Sequence, residues 1–231
     1  RAILQTDPAY LDRVQEYDRV LRQRNQLLKQ QADDDQLAPW TESLVRTGSR
    51  IRHDRLTYLA RFLPRLCQAY REITAGTESA GLKYSVEENS IEGLSDYLVE
   101  ALQRLAPREK KLGLTLAGPH RDDLDFLVEE RSLRCFGSQG QQRSYLLAFK
   151  AAQVMDLEKQ LQDPPVLLLD DLASELDLRR QEGFFNFLLQ RSGQIFLTSA
   201  QQTLLTDAVR QKASYYKVDQ GMVNAISPER G

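Results

Sequence analysis

Val166-Leu167-Leu168-Leu169 is an unbroken apolar run, opened by Pro165, that ends directly in two carboxylates, Asp170 and Asp171. A strand with no polar alternation implies burial on both faces, so this chain is expected to build a sheet covered by helices. Its acidic end falls where open α/β folds bind ligands, at the carboxyl edge of the sheet. The alternative for the same residues is a strand ending in a solvated acidic turn. The neighbouring pattern supports the sheet. A helix is expected over residues 138–161, another over 178–190, and a further strand over 194–198. Strand, helix and strand in that order imply a largely parallel sheet. Upstream, residues 112–116 and 124–128 read as strands, with 132–136 pairing back on the second.

The first half has a different period. Residues 7–30 read as a helix, with Asp7 as cap and Pro8 in the first turn, and Tyr10, Val14, Tyr17, Leu21 and Leu28 forming one apolar seam. Asp33-Asp34-Asp35, with Pro39 close behind, predicts a loop. A second helix follows over 41–72, with Leu44, Ile51, Tyr58, Leu59, Phe62, Leu66 and Tyr70 on one side; Pro64 is expected to kink or split it. A third runs from a Ser90 cap through Leu94, Tyr97, Leu98, Ala101, Leu102 and Leu105 to Pro107. Each run is short and none keeps strict heptads, which favours a packed antiparallel arm over a free coiled coil. The change of period places a domain break near residue 110, with an all-helical arm over 1–110 and an α/β domain over 111–231.

Composition narrows the function classes. The chain has 231 residues, enough for one large or two modest domains, and at 41% hydrophobic and 28% charged it is an ordinary globular composition. Two cysteines, Cys67 and Cys135, sit in unrelated contexts and read as reduced thiols. Two histidines, His53 and His120, argue against a zinc or iron centre. A net charge of -2 leaves a nucleic-acid partner open. No apolar run is long enough for a membrane span and no signal peptide opens the sequence, so a cytoplasmic setting is expected. The sequence begins at Arg1 in mid-pattern and reads as part of a longer chain.

Three further segments carry chemistry. Phe136-Gly137-Ser138-Gln139-Gly140-Gln141-Gln142-Arg143 lies between a strand and a helix. A serine at a helix start, followed closely by glycine, offers a hydroxyl and free N–H groups to an anion; a simple helix cap is the other reading. Gly118-Pro119-His120-Arg121-Asp122-Asp123 reads as a turn of mixed charge. On the second helix, Arg46, Arg50, Arg61, Arg65 and Arg71 cluster opposite the apolar seam. That stripe either follows a phosphate backbone or is a solvated face.

Taken in order, these segments resemble the RecF family. The match rests on Gly118 to Asp123, on Gln23-Arg24-Asn25 preceded by Tyr17, on the serine-glycine segment as an ABC-type signature, and on the Asp170-Asp171 strand as Walker B. The resemblance implies an ABC-type ATPase head with a helical second domain, related to SMC heads without their long coiled coils. It implies ATP-dependent homodimerisation on DNA, slow hydrolysis, and loading of recombinase at gapped DNA with RecO and RecR, in the cytoplasm near the nucleoid. Carried over, Asp170 is the acid associated with Mg²⁺ and Asp171 the catalytic carboxylate. Ser138, Gln139 and Gly140 become contacts to the γ-phosphate of ATP held by another copy, and Ser174, Glu175, Leu176 and Asp177 become the D-loop. Thr198 and Ser199 occupy the switch position, where many ABC proteins have a histidine and this chain has none.

No Gly-x-x-x-x-Gly-Lys-Ser/Thr pattern occurs in the chain. ATP and Mg²⁺ are therefore expected in the intact protein only. The chain alone is expected neither to bind ATP tightly nor to hydrolyse it, and to expose apolar sheet edges. The alternative is a non-catalytic interaction module whose ATPase motifs only complete a fold.

Overall fold

A single helix organises the chain: α3, Asp34–Ile73, runs 40 residues without a break. The computed structural model describes residues 2–86, 88, 90–161, 164–170, 178–191, 193–199 and 207–226. Asp33 caps α3 by accepting the Gln36 N–H at 2.9 Å, and Asp34 and Asp35 lie in its first turn. Acids suit that end of the helix dipole, so the segment expected as a loop starts a helix instead. Pro39 and Pro64 both lie inside α3 and neither ends it, although each forfeits one backbone hydrogen bond. One residue past Pro64, the Arg65 guanidinium donates to the Arg61 carbonyl, supplying a bond at the proline's turn.

Ahead of α3 come α1, Ala2–Thr6, and α2, Ala9–Lys29. Pro8, not Asp7, holds the cap position of α2; Asp7 instead accepts a bond from Arg13. After β1, Ala80–Tyr84, Ser90 caps α4, Ile91–Leu112, by accepting the Gly93 N–H at 3.0 Å. This helix passes Pro107 and stops at Gly113, whose φ of 65° lies in the left-handed region that glycine adopts freely. Leu112 thus completes a helix, and the strand expected over 112–116 does not form. β2, Leu124–Val128, pairs antiparallel with β1, with Leu82 opposite Phe126. β3 is only Arg131–Ser132, and Leu133–Phe136 coils into the short helix α5 in place of the longer return strand.

The remaining described elements are α6 (Gln139–Leu161), β4 (Leu167–Asp170), α7 (Leu178–Leu189), β5 (Ile195–Thr198), α8 (Asp207–Lys212) and a hairpin of β6 (Tyr215–Asp219) and β7 (Met222–Ile226). β4 and β5 pair in parallel, from Leu167 opposite Ile195 to Asp170 opposite Thr198. No described helix is long and apolar enough to cross a membrane.

Among the described residues α3 belongs to both of the larger cores, and its Leu56 and Leu59 also pack against a small third one of Tyr84, Val86 and Leu94. Its first half, with Leu44 and Ile51, meets Tyr17 and Val20 of α2 and Leu98 and Leu102 of α4. Its second half, with Phe62, Leu66 and Tyr70, meets Tyr145, Ala148 and Ala152 of α6 and Phe184, Phe185 and Phe187 of α7. Most residues of the expected seams are buried, each fully buried large side chain contributing about 1.5–3 kcal/mol, while Val14, Leu21, Leu59 and Leu105 are half-buried and Tyr97 is exposed. The packing divides within α3, however, not at residue 110. Leu167, Leu169, Ile195 and Leu197 face the second core, while Leu168 is 76% exposed and Phe196 51% exposed. The strand expected to be covered on both faces is covered on one, among the described residues.

The second core has one tight crossing. A Cβ at Gly183 of α7 would lie 2.8 Å from the carbonyl oxygens of both Glu72 and Ile73 at the end of α3. Alanine in a helix interior normally gains about 1 kcal/mol over glycine. Here overpacking against fixed backbone costs about 1–3 kcal/mol. Gly183→Ala should therefore lower the thermal midpoint measured by circular dichroism; a raised midpoint would mean the helices cross less closely.

Candidate functional site

The parallel register brings Asp170 and Thr198 side by side at the carboxyl ends of β4 and β5. The Thr198 hydroxyl donates to the Asp170 carboxylate, and both residues are exposed. A carboxylate and a hydroxyl are hard oxygen donors, the set that suits Mg²⁺. Ser199 follows, also exposed. Asp171, Ser174, Glu175, Leu176 and Asp177 lie outside the described residues. Among the described residues no group of three or more His, Cys, Asp or Glu side chains is placed to hold a metal by itself.

The serine-glycine segment opens α6. Ser138 Oγ accepts the Gln141 N–H at 3.2 Å, and Gln141 Oε1 accepts the Ser138 N–H at 3.0 Å. This reciprocal pair is a capping box, with glutamine three residues after serine. Cap and anion site stood as alternatives in the sequence, but the geometry makes them compatible. Ser138 Oγ spends a lone pair on the cap and keeps its proton to donate outward. Helix geometry also leaves the N–H groups of Gln139 and Gly140 without intrahelical acceptors. A Cβ on Gly140 would lie 2.7 Å from an Arg180 guanidinium nitrogen, so glycine leaves room for this arginine of α7 against the turn. Sequence reasoning did not single out Arg180, because nothing local links it to residue 140.

The two segments that carried the family resemblance meet in space. Arg24 is buried and donates three ways: to Thr41 Oγ1 at 3.0 Å, Thr115 Oγ1 at 2.7 Å and Glu109 Oε2 at 2.7 Å. Glu109, fully buried, accepts the Leu116 N–H with its other oxygen at 2.6 Å. Asn25 Oδ1 accepts both the N–H and the hydroxyl of Thr115, each at 2.7 Å. These side chains take the backbone groups that a strand over 112–116 would need. Farther along, Asp122 accepts from Arg52 Nε at 2.9 Å and Nη2 at 2.7 Å, and also from the Tyr84 hydroxyl. Arg55 donates to the Pro119 carbonyl at 2.6 Å. Gly118 has a φ of 134°, and a Cβ there would collide with the Tyr17 hydroxyl. Arg121 and Asp123 are exposed. The mixed-charge turn is thus a clamp that fastens residues 115–122 onto α2, α3 and α4.

The arginine stripe separates into two groups. Arg61 and Arg65 reach the buried Asp156 of α6 at 3.4 and 3.2 Å. Because α6 packs along this half of α3, the face expected to be open is partly covered, and these two half-buried arginines pair with an interior carboxylate. Arg46 and Arg50 stay exposed and line a cleft of about 280 Å³ with Arg13, Glu16 and Thr47. Glu16 approaches Arg46 only at 3.7 Å. Arg71 is exposed in the last turn of α3.

His120 adds a pH-dependent bond to the clamp. Its Nε2 lies 3.1 Å from the Thr115 carbonyl, which can only accept, so Nε2 carries the proton. Nδ1 then accepts from the Tyr17 hydroxyl at 2.7 Å. Desolvation holds the imidazole below its ordinary value of 6.5, favouring this neutral form. A depressed folded pKa gives stability that is full above 6.5 and is lost as pH falls through the lowered value. Glutamine can make both bonds without titrating. His120→Gln should therefore weaken the fall in urea midpoint between pH 7 and pH 5; an unchanged fall would remove His120 from the acid response.

No protein-family model matches the chain. It is similar to the DNA replication and repair protein RecF of Syntrophotalea carbinolica, at 48% identity over 221 residues, covering 96% of this chain and 61% of that protein. It is also similar to the protein of the same name from Geobacter metallireducens, at 40% identity over 231 residues, covering 98% of this chain and 63% of that one. A solved structure described as the recombination mediator protein RecF-ATPrS in the RecFOR pathway superposes with a TM-score of 0.77. It shares 26% identity and covers 96% of this chain and 60% of its own. The chain spans about three-fifths of the length of the relatives it matches. Its fold is α/β, part of an ABC-type ATPase head with a helical arm. The chain belongs to the RecF family.

Proposed function

We propose that this chain supplies the Walker B and signature faces of composite ATP sites in a DNA-binding protein of recombinational repair and replication restart. The observation that carries the reading is the Asp170–Thr198 pair at the carboxyl ends of two parallel strands. Asp170 would hold Mg²⁺ through its water shell, and Thr198 would fix the carboxylate's orientation. Magnesium would supply charge neutralisation at the β- and γ-phosphates. Asp171 is proposed to polarise the attacking water, with Ser174 to Asp177 as the D-loop beside it. Ser138, Gln139 and Gly140 would grip the γ-phosphate bound by another copy, so that ATP joins two copies on DNA. Hydrolysis in such a clamp is slow, and RecO and RecR are the proposed partners in loading recombinase at gaps. Residues 1–110 form the arm in this reading, although α3 extends its packing into the head. Lacking a Walker A pattern, the isolated chain is proposed not to hydrolyse ATP.

DNA contact is assigned to the cleft of Arg46 and Arg50, since Arg61 and Arg65 are committed to Asp156. The test measures duplex-DNA affinity of the full-length protein against salt, with ATP and Mg²⁺. The Arg46→Ala/Arg50→Ala pair should bind more weakly and lower the salt slope by about 2, at roughly 0.9 per phosphate contact. Arg61→Ala should lower the melting temperature and leave that slope alone. Asp170→Asn should abolish only the increment that ATP adds. Undiminished low-salt affinity in the arginine pair contradicts the DNA assignment, and an intact ATP increment in Asp170→Asn contradicts the metal assignment.

A further inference from the structure

We infer that Glu78, in the turn between α3 and β1, is a positioning residue that sets the signature serine as a hydrogen-bond donor. The inference rests on the reading of Ser138 as a phosphate contact. Glu78 Oε1 accepts from Gln141 Nε2 at 3.1 Å, and Glu78 Oε2 accepts from the Tyr70 hydroxyl at 2.6 Å. Tyr70 is fully buried in the second core beside Tyr145, with ring centroids 5.7 Å apart. Desolvation, and then the bond to Glu78, push the Tyr70 phenol well above its ordinary value, so it remains a donor. A line of contacts therefore runs from the core through Tyr70, Glu78 and Gln141 to Ser138.

The chemistry of the line has a direction. An ionised carboxylate only accepts hydrogen bonds, whereas a glutamine amide donates at one end and accepts at the other. Glu78 thus forces Gln141 to turn its NH₂ inward and its oxygen toward the Ser138 N–H, which it accepts at 3.0 Å. With the amide reversed, its NH₂ would face the Ser138 N–H, donor against donor, and the cap would open. In the observed orientation Ser138 Oγ receives the Gln141 N–H at 3.2 Å, and the hydroxyl proton is left for an outside acceptor. An anion with lone pairs and no protons is the ligand that such a hydroxyl takes. Glu78 lies 63 residues from Gln141 in sequence and carries no recognisable motif, so its role comes from the fold alone.

The test measures ATP-dependent self-association of the full-length protein by sedimentation, with ATP affinity of the single copy and thermal midpoint recorded beside it. Ser138→Ala should weaken association. Glu78→Gln removes the acceptor-only constraint and should weaken it about 10-fold, the scale of one charge-assisted bond, without changing single-copy ATP affinity. Because Glu78 acts through Ser138, the double variant should associate no worse than Ser138→Ala. Should Glu78→Gln fail to fold, Gln141→Leu breaks the same line and takes its place in the comparison. Full association of Glu78→Gln, or additive losses in the double variant, would overturn the positioning role. Full association of Ser138→Ala would overturn the signature reading, and the inference with it.

Discussion

The continuity of α3 is the constraint on which the rest of the molecule depends. At 1.5 Å per residue, 40 residues give a rod of about 60 Å. Its first half builds the arm core and its second half the head core, so no residue boundary separates the two. Isolated in water, a helix with two internal prolines would be poorly stable; packing on both halves offsets their lost bonds. The α6 helix, capped by Ser138, is fixed to this rod by Asp156 between Arg61 and Arg65. A buried carboxylate left without its cations costs about 3–5 kcal/mol, so that register is firmly specified.

A second set of buried charges fastens the turn between the arm and the head. Arg24 with Glu109, and Arg52 with Asp122, are ion pairs at 2.7 Å whose side chains are nearly inaccessible. Such pairs add little net stability over apolar packing, but they tolerate only one arrangement of their partners. Their remaining partners are the Leu116 N–H, which Glu109 accepts, the Thr41 and Thr115 hydroxyls, to which Arg24 donates, and the Tyr84 hydroxyl, which donates to Asp122. That explains how segments so distinctive in sequence can stand apart from the proposed nucleotide chemistry. They hold the frame on which α3 meets β1 and β2, and Glu78 sits in the turn between those elements.

Much of this was legible in the sequence where the signal was local. Apolar spacing named the seams of α2, α3 and α4 because burial there follows helical period. The end of β4 was visible because its apolar run stops at two carboxylates, whereas Thr198 stood out only through the family resemblance. Where distant residues decide, local reading failed. Leu112, Leu114 and Leu116 alternate as a strand would, yet Asn25 and Glu109 claim the backbone. The acids ahead of Pro39 looked like a loop, but they cap a helix that packing then carries through the proline. β1 was missed because its short, glycine-containing run takes its meaning from β2, more than forty residues on. Arg61 and Arg65 stood on a stripe that read as a phosphate-following or a solvated face, but α6 brings Asp156 against both. Glu78 and Arg180 carry no pattern at all and are defined by contact alone.

The central claim is that Asp170 and Ser138 belong to two complementary faces of nucleotide sites, held in place by α3 and its clamps. The most direct measurement is a structure of the full-length protein with a non-hydrolysable ATP analogue and Mg²⁺. The expected result has Asp170 beside the metal of its own copy and Ser138 of the other copy donating to the terminal phosphate, with the Glu78–Gln141 bond kept. A nucleotide seated against residues 118–123, or a Ser138 hydroxyl facing solvent in the nucleotide-bound dimer, would contradict it.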